Sequence, residues 1–181
     1  MAGTEDGGQD PDWTIGALLG RLADGKTFVA DVARIRTGVA RRDAEIEAVA
    51  REDARQYRGR VRWWMEKETG IGGADRTAIL VRRIQNAGVS VQTEAATSNK
   101  VIRAEPLASA VGAGNVLLCP GEWRDPLRAE AADFPTGKHD DIVDALSGAF
   151  NKLALGSSGT PPVTAAADET AYGSLPADTF G

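Results

Sequence analysis

Residues 134–150 read FPTGKHDDIVDALSGAF, and the six positions 139–144 hold His139, Asp140, Asp141 and Asp144. Neighbouring like charges repel, and a helix N-terminus, which favours anions, lowers that cost without removing it. A bound divalent cation would remove it. Asp141 and Asp144 are three apart and share a face of any helix that starts here. Asp140 points elsewhere unless it lies just outside the first turn. Carboxylate oxygens suit magnesium, which keeps several waters and works on phosphates. Two such ions roughly 4 Å apart stabilise both the attacking and the leaving oxygen of phosphodiester hydrolysis. The alternative stays open at this point, because an aspartate at a helix start is most often a cap. His139 alone reads as a loop residue sooner than as a ligand.

Further acids could join this cluster. Glu66 ends the apolar run of VRWWME and is followed by Gly70, Gly72 and Gly73. Functional groups of open α/β sheets gather at the carboxyl ends of strands, which is where Glu66 would sit. The N-terminal stretch adds Glu5, Asp6, Asp10 and Asp12. Other chemistries are poorly served. One cysteine, Cys119, and one histidine give no disulfide framework and no nitrogen- or sulfur-rich zinc site. Cys119 reads as core. Ser147 has no base beside it, so a serine-hydrolase triad is unsupported. No G-x-x-x-x-G-K-[ST] run occurs, so the chain carries no P-loop.

The elements that must position these groups alternate. DWTIGALLGR and TFVADVARI read as strands joined by an Asp24–Gly25 turn. From Thr37 the period becomes helical, with Val39, Ile46, Val49, Ala50 and Tyr57 on one face. VRWWME is a strand, ADRTAILVRRIQNAG a helix closed by Gly88, and VSVQTEA a strand. NKVIRAEPLASAVGAG reads as a helix interrupted near Pro106, followed by the buried strand NVLLC. A short helix over Glu122–Asp133 and a last one over His139–Leu155 complete the order. A hairpin followed by alternating strands and helices argues for an α/β sheet with helices on its faces.

The 181 residues are 42% hydrophobic with a net charge of −5. Those figures predict a globular domain whose bulk electrostatics do not favour nucleic acid, so any such binding needs a local basic patch or bound metal. No apolar run approaches the roughly 20 residues that span a bilayer, and MAGTEDGGQD is unlike a secretory signal. After Leu155 the composition turns rich in Gly, Ser, Thr, Pro and Ala. We expect a folded domain over 1–155 and a flexible tail over 156–181.

Four segments taken in order resemble a known family. They are DPDWTIGALLGRLADGKTFVADVARIR, WWMEKETGIGGADRTAILVRRIQNAGVSV, NKVIRAEPLASAVGAGNVLL and FPTGKHDDIVDALSGAF. Over roughly residues 1–153 the chain resembles the C-terminal nuclease domain of the large terminase subunit of tailed bacteriophages. GKHDDIVDALS is the most specific part. The resemblance implies an RNase H-like fold, with a mixed sheet flanked by helices. It implies a metal-dependent endonuclease that cuts concatemeric phage DNA during genome packaging, using Mg²⁺ or Mn²⁺ in a two-metal site. Catalytic roles then fall to Glu66, Asp141 and Asp144, with Asp140 joining them as metal ligand and His139 in or beside that shell. Asp12 matches a position that is usually acidic and reads as structural. The implied partners are double-stranded DNA, the terminase ATPase domain, the small terminase subunit and the portal. The implied location is the cytoplasm of a bacterial host, with the gene carried by a phage or prophage. In this family the first strand ends in an aspartate that would fall immediately before Met1. The chain is therefore expected to lack most of that strand, with Glu5 or Asp6 as candidate substitutes for its acid.

Lys138, beside the acids, and Arg34, Arg36, Lys100 and Arg103 are the candidate DNA contacts. Arg41, Arg42, Arg82 and Arg83 sit among acids on helices and read as solvated faces. Two other functions compete with the nuclease. One is a catalytically inactive terminase remnant or interaction module. The other is a resolvase or integrase relative acting on branched DNA.

Overall fold

The structure, a computed structural model, describes residues 13–68, 72–95 and 99–155. Glu5, Asp6, Asp10, Asp12 and the tail expected over 156–181 lie outside the described residues. The element order is β1 (Thr14–Arg21), β2 (Thr27–Ile35), α1 (Val39–Tyr57), β3 (Arg62–Glu66), α2 (Gly73–Asn86), β4 (Ser90–Glu94), α3 (Lys100–Gly112), β5 (Val116–Leu118), α4 (Arg124–Asp133) and α5 (Asp141–Leu155). The α/β class expected from the alternation is the one observed. The strands form two ladders, β1-β2-β5 and β3-β4.

The described residues group into two compact units. The larger comprises Ile15–Arg34, Trp64–Lys67 and the chain from Thr93 onward. It holds the β1-β2-β5 ladder. β1 turns into β2 through Leu22–Lys26, where Gly25 takes φ 89°, its N–H donates to the Leu22 carbonyl, and Asp24 accepts from the Lys26 N–H. That is the Asp-Gly turn legible in the sequence. β2 then runs parallel to β5, with Val29 opposite Leu118. Val29, Val32, Val116 and Leu118 pack with Trp123 and Leu127 of the α4 region and with Ile142, Val143 and Leu146 of α5 to form the core. The 142, 143, 146 spacing is the apolar stripe of an amphipathic helix, so burial of that stripe fixes which face of α5 is left for chemistry.

α3 runs through Pro106 without a break. This corrects the interruption expected there. Proline removes one helical hydrogen bond, to the carbonyl four residues back. That carbonyl belongs to Ile102, an exposed residue, so water can take the lost donor's place. Packing on α5 holds the helix together meanwhile, with Asn151 donating to the Arg103 carbonyl at 3.0 Å. Asn99 caps the start by accepting from the N–H groups of Val101 and Ile102. Gly114, at φ 70°, closes the end.

The smaller unit contains Ile35–Trp63 and Glu68–Gln92. Here α1 and α2 bury Ile46, Ala50, Leu80 and Ile84. Asp53 is buried on α1 and accepts from the Trp63 indole N–H at 2.9 Å, which satisfies both polar groups. The exposed face of α1 carries the Arg41–Glu45, Arg51–Glu47 and Arg55–Glu52 pairs, so Arg41 is part of a solvated face as expected.

Candidate active site

Glu66 is the last residue of β3, as its place after the apolar run suggested. The chain just beyond it is pinned, because the Lys67 N–H donates to the Glu94 carbonyl at 2.8 Å and the Glu94 carboxylate pairs with Lys152 of α5. The Glu66 side chain is 50% exposed and faces a group from another element. Nη1 of Arg103, on the first turn of α3, donates to its Oε1 at 2.8 Å. Nη2 of the same guanidinium donates to Oδ1 of Asp144, on the first turn of α5. Two carboxylates distant along the chain thus converge on one planar cation, with each prong of the fork on a different acid.

The remaining acids lie alongside. α5 starts at Asp141, and the Asp144 N–H donates to the Asp140 carbonyl, so Asp140 sits just outside the first turn. Its carboxylate accepts from Nζ of Lys100 at 2.8 Å. The hydrogen bond to Asp140 raises the Lys100 pKa above its ordinary value against a burial penalty, helped by the charges of Asp140, Asp144 and Asp141. All three aspartates therefore act on one ammonium. Burial opposes the charge on Arg103, and the hydrogen bonds and charges of Asp144 and Glu66 more than offset it, so its pKa also stands above the ordinary value.

At the Ile142 N–H, in the first turn of α5, the cap is not an aspartate of the cluster. The Ile142 N–H donates to Oε2 of Glu130, on α4, at 2.7 Å. A glutamate twelve residues upstream gives no local capping signature, so sequence reasoning missed it. It also missed Glu68, whose carboxylate accepts from Arg42 at 2.8 Å and Arg76 at 3.0 Å within the smaller unit. Arg42, expected on a solvated face, is thus a half-buried clamp.

The other candidates are placed as follows. Lys138 and His139 are exposed in the loop before α5. Arg34 lies on β2, and Arg36 stacks over the Trp13 ring at 5.2 Å in a cation–π contact. Lys100 and Arg103, expected to meet DNA, are engaged by the acids. Ser147 is fully buried and donates to the Val143 carbonyl at 2.6 Å, and Cys119 is buried. Among the described residues, no three acidic, histidine or cysteine side chains are gathered closely enough to hold one ion as they stand. Glu66 and Asp144 are the pair that converge on a cation. No helix among the described residues is long and apolar enough to cross a membrane.

No curated protein shows significant similarity to the chain. The profile of the terminase RNaseH-like domain matches residues 3–153, a span that includes β3, α3 and all but the last two residues of α5, and therefore Glu66, Arg103 and Asp144. With that much of its length accounted for, the chain belongs to the terminase RNaseH-like domain family.

Proposed function

We propose that this domain is a metal-dependent DNA endonuclease that cuts phage DNA during genome packaging. The family gives a terminase nuclease-type role. The observation that carries the finer reading is the convergence of Glu66 and Asp144 on a single cation. The donors are all carboxylate oxygens, the set preferred by Mg²⁺ and Mn²⁺. A pair of carboxylates held around a +1 guanidinium has the charge and convergence to take a +2 ion in its place. Glu66 and Asp144 would be its principal ligands, with Asp141 and Asp140 beside them.

When bound, two such ions supply Lewis-acid stabilisation of the phosphoryl oxygens and an acidified water for attack. The protein's part is to hold its acids in register. The hydrogen bond beyond Glu66 and the packed stripe of α5 do so. Lys138, exposed and two residues before Asp140, would draw a phosphate toward the acids, with His139 next to it. Lys100 and Arg103, on one face of α3, are the basic groups paired with these acids.

Plasmid nicking with Mn²⁺ or Mg²⁺ tests this. We expect cleavage by the wild-type chain, none with EDTA, and a loss in Asp144→Asn and Asp141→Ala. That loss should exceed about 100-fold, the upper end of what loss of a ligand's outer-shell partner costs. Equal cleavage by wild type and Asp144→Asn would overturn the assignment. A non-catalytic interaction module is the competing reading. It is favoured by one observation, that Glu66, Asp144 and Asp140 each already have a basic partner. Carboxylate-dependent Mn²⁺ binding would count against it.

A further inference from the structure

We infer that Arg103 is a resident counter-cation of the acidic site, which a divalent ion must displace to bind between Glu66 and Asp144. The inference rests on the metal-site reading above and adds how that site is regulated. Three observations lead to it. The first is position, because one guanidinium bridges the two carboxylates and so fills the space an ion ligated by both would need. The second is depth. The Arg103 side chain is only 13% exposed, whereas Glu66 is 50% exposed. Arg103 is therefore built into the site and is not a rim arginine resting on it. The third is the anchoring of its backbone. Asn151 of α5 holds the Arg103 carbonyl, so α3 need not move and displacement is a change of side chain alone.

The physical consequence is competition. Without the guanidinium, Glu66 and Asp144 would repel each other across the site. With it their repulsion is offset and they are held in place, one negative charge still in excess, ready for a cation but occupied by one. A divalent ion entering while the guanidinium stays would set two cations side by side, so its binding and the release of Arg103 are one event. Lys100 lies one turn earlier on the same face of α3. The displaced guanidinium would join it there as a second cation facing an approaching phosphodiester. Metal loading would thereby also prepare the contact to nucleic acid, and the empty site would remain shut to both.

The test is Mn²⁺ binding to the whole chain, followed by electron paramagnetic resonance of the free ion. Arg103→Gln removes the competitor and should tighten Mn²⁺ binding by about tenfold or more, the size of one charge-assisted hydrogen bond. Asp144→Asn should weaken it. If Arg103→Gln binds Mn²⁺ no more tightly than wild type while Asp144→Asn still weakens binding, the metal site stands and the inference falls. If neither wild type nor Arg103→Gln binds, both fall. A second measurement needs no variant at Arg103 that must fold. In the wild-type chain, the guanidinium proton resonances of Arg103 should be sharp and slowly exchanging without metal. They should broaden into the bulk arginine signals on saturation with Mg²⁺. Their persistence at saturation would overturn the displacement.

Discussion

Single residues here differ mainly in which cation they answer to. Glu66 and Glu68 are two apart, yet Glu66 faces Arg103 at the candidate active site and Glu68 is clamped by Arg42 and Arg76. Burial works to raise the Glu68 pKa, and the hydrogen bonds and charges of the two arginines outweigh it, leaving the pKa below the ordinary glutamate value. A carboxylate with a depressed folded-state pKa stabilises the fold above its unfolded pKa. That contribution is lost as the pH falls through the depressed value. Glu68→Gln should therefore cost on the order of 1 kcal/mol at pH 7, the upper range for a partly exposed ion pair. The cost should begin to shrink near the ordinary glutamate value, about pH 4, and vanish only when the pH falls below the depressed folded-state value. Urea unfolding above and below that range measures this, and an equal cost at both would show that shape, not charge, is what Glu68 supplies. The identity of Glu68 as a clamp was not legible, because its partners lie 26 residues before it and eight after it with no shared period.

Elements were legible to the extent that their signals are local. The Asp24–Gly25 turn, the β-branched and aromatic content of β2 and the apolar, small-residue run of α5 each declare themselves within a few residues, and each element is present where expected. Pro106 misled for the same reason. Its penalty is local, while what outweighs it is packing of α3 on α5, which no window of sequence contains. The candidate site divides along the same line. That Glu66 would end a strand and that Asp141 and Asp144 would open a helix followed from period and composition. That Arg103 would be the group holding Glu66 and Asp144 together did not, since it depends on where α3 comes to lie. The Glu130 contact to the start of α5 is another such long-range term, and it makes a test at this scale. Glu130→Ala removes the acceptor for the Ile142 N–H and should destabilise the chain by about 1 kcal/mol, the usual cost of a lost helix cap. Glu130→Gln, which retains an acceptor, should recover most of it. If thermal melts show the two variants equally destabilised, the negative charge at the helix N-terminus matters more than the hydrogen bond.

The molecule as a whole is acidic, with a net charge of −5, yet it belongs to a family of terminase nuclease-type domains. A duplex brought near it meets a repulsive average field and must be held by local cations. Lys100 and Arg103 are engaged by acids, and the exposed Lys138, beside those acids in sequence, is the first candidate for phosphate contact. Two consequences follow for binding to linear duplex DNA, measured by fluorescence anisotropy. Affinity should be low without divalent ions. It should rise when Ca²⁺ is added, because an oxygen-ligated divalent ion would neutralise the acids and release α3's cations to the backbone. The salt dependence should also be shallow. With roughly two to four phosphates neutralised, log K against log salt should fall with a slope of about −2 to −4. Lys138→Ala should weaken binding on all sequences alike and flatten that slope by about 1. A steep slope that ignores Ca²⁺ would place the DNA on a basic surface remote from the acids. Tight binding confined to branched DNA would move the chain toward the resolvase-like chemistry that shares this kind of site. A shallow, Ca²⁺-dependent slope on linear duplex is the behaviour expected of an acidic domain that meets DNA through ions held on its own carboxylates.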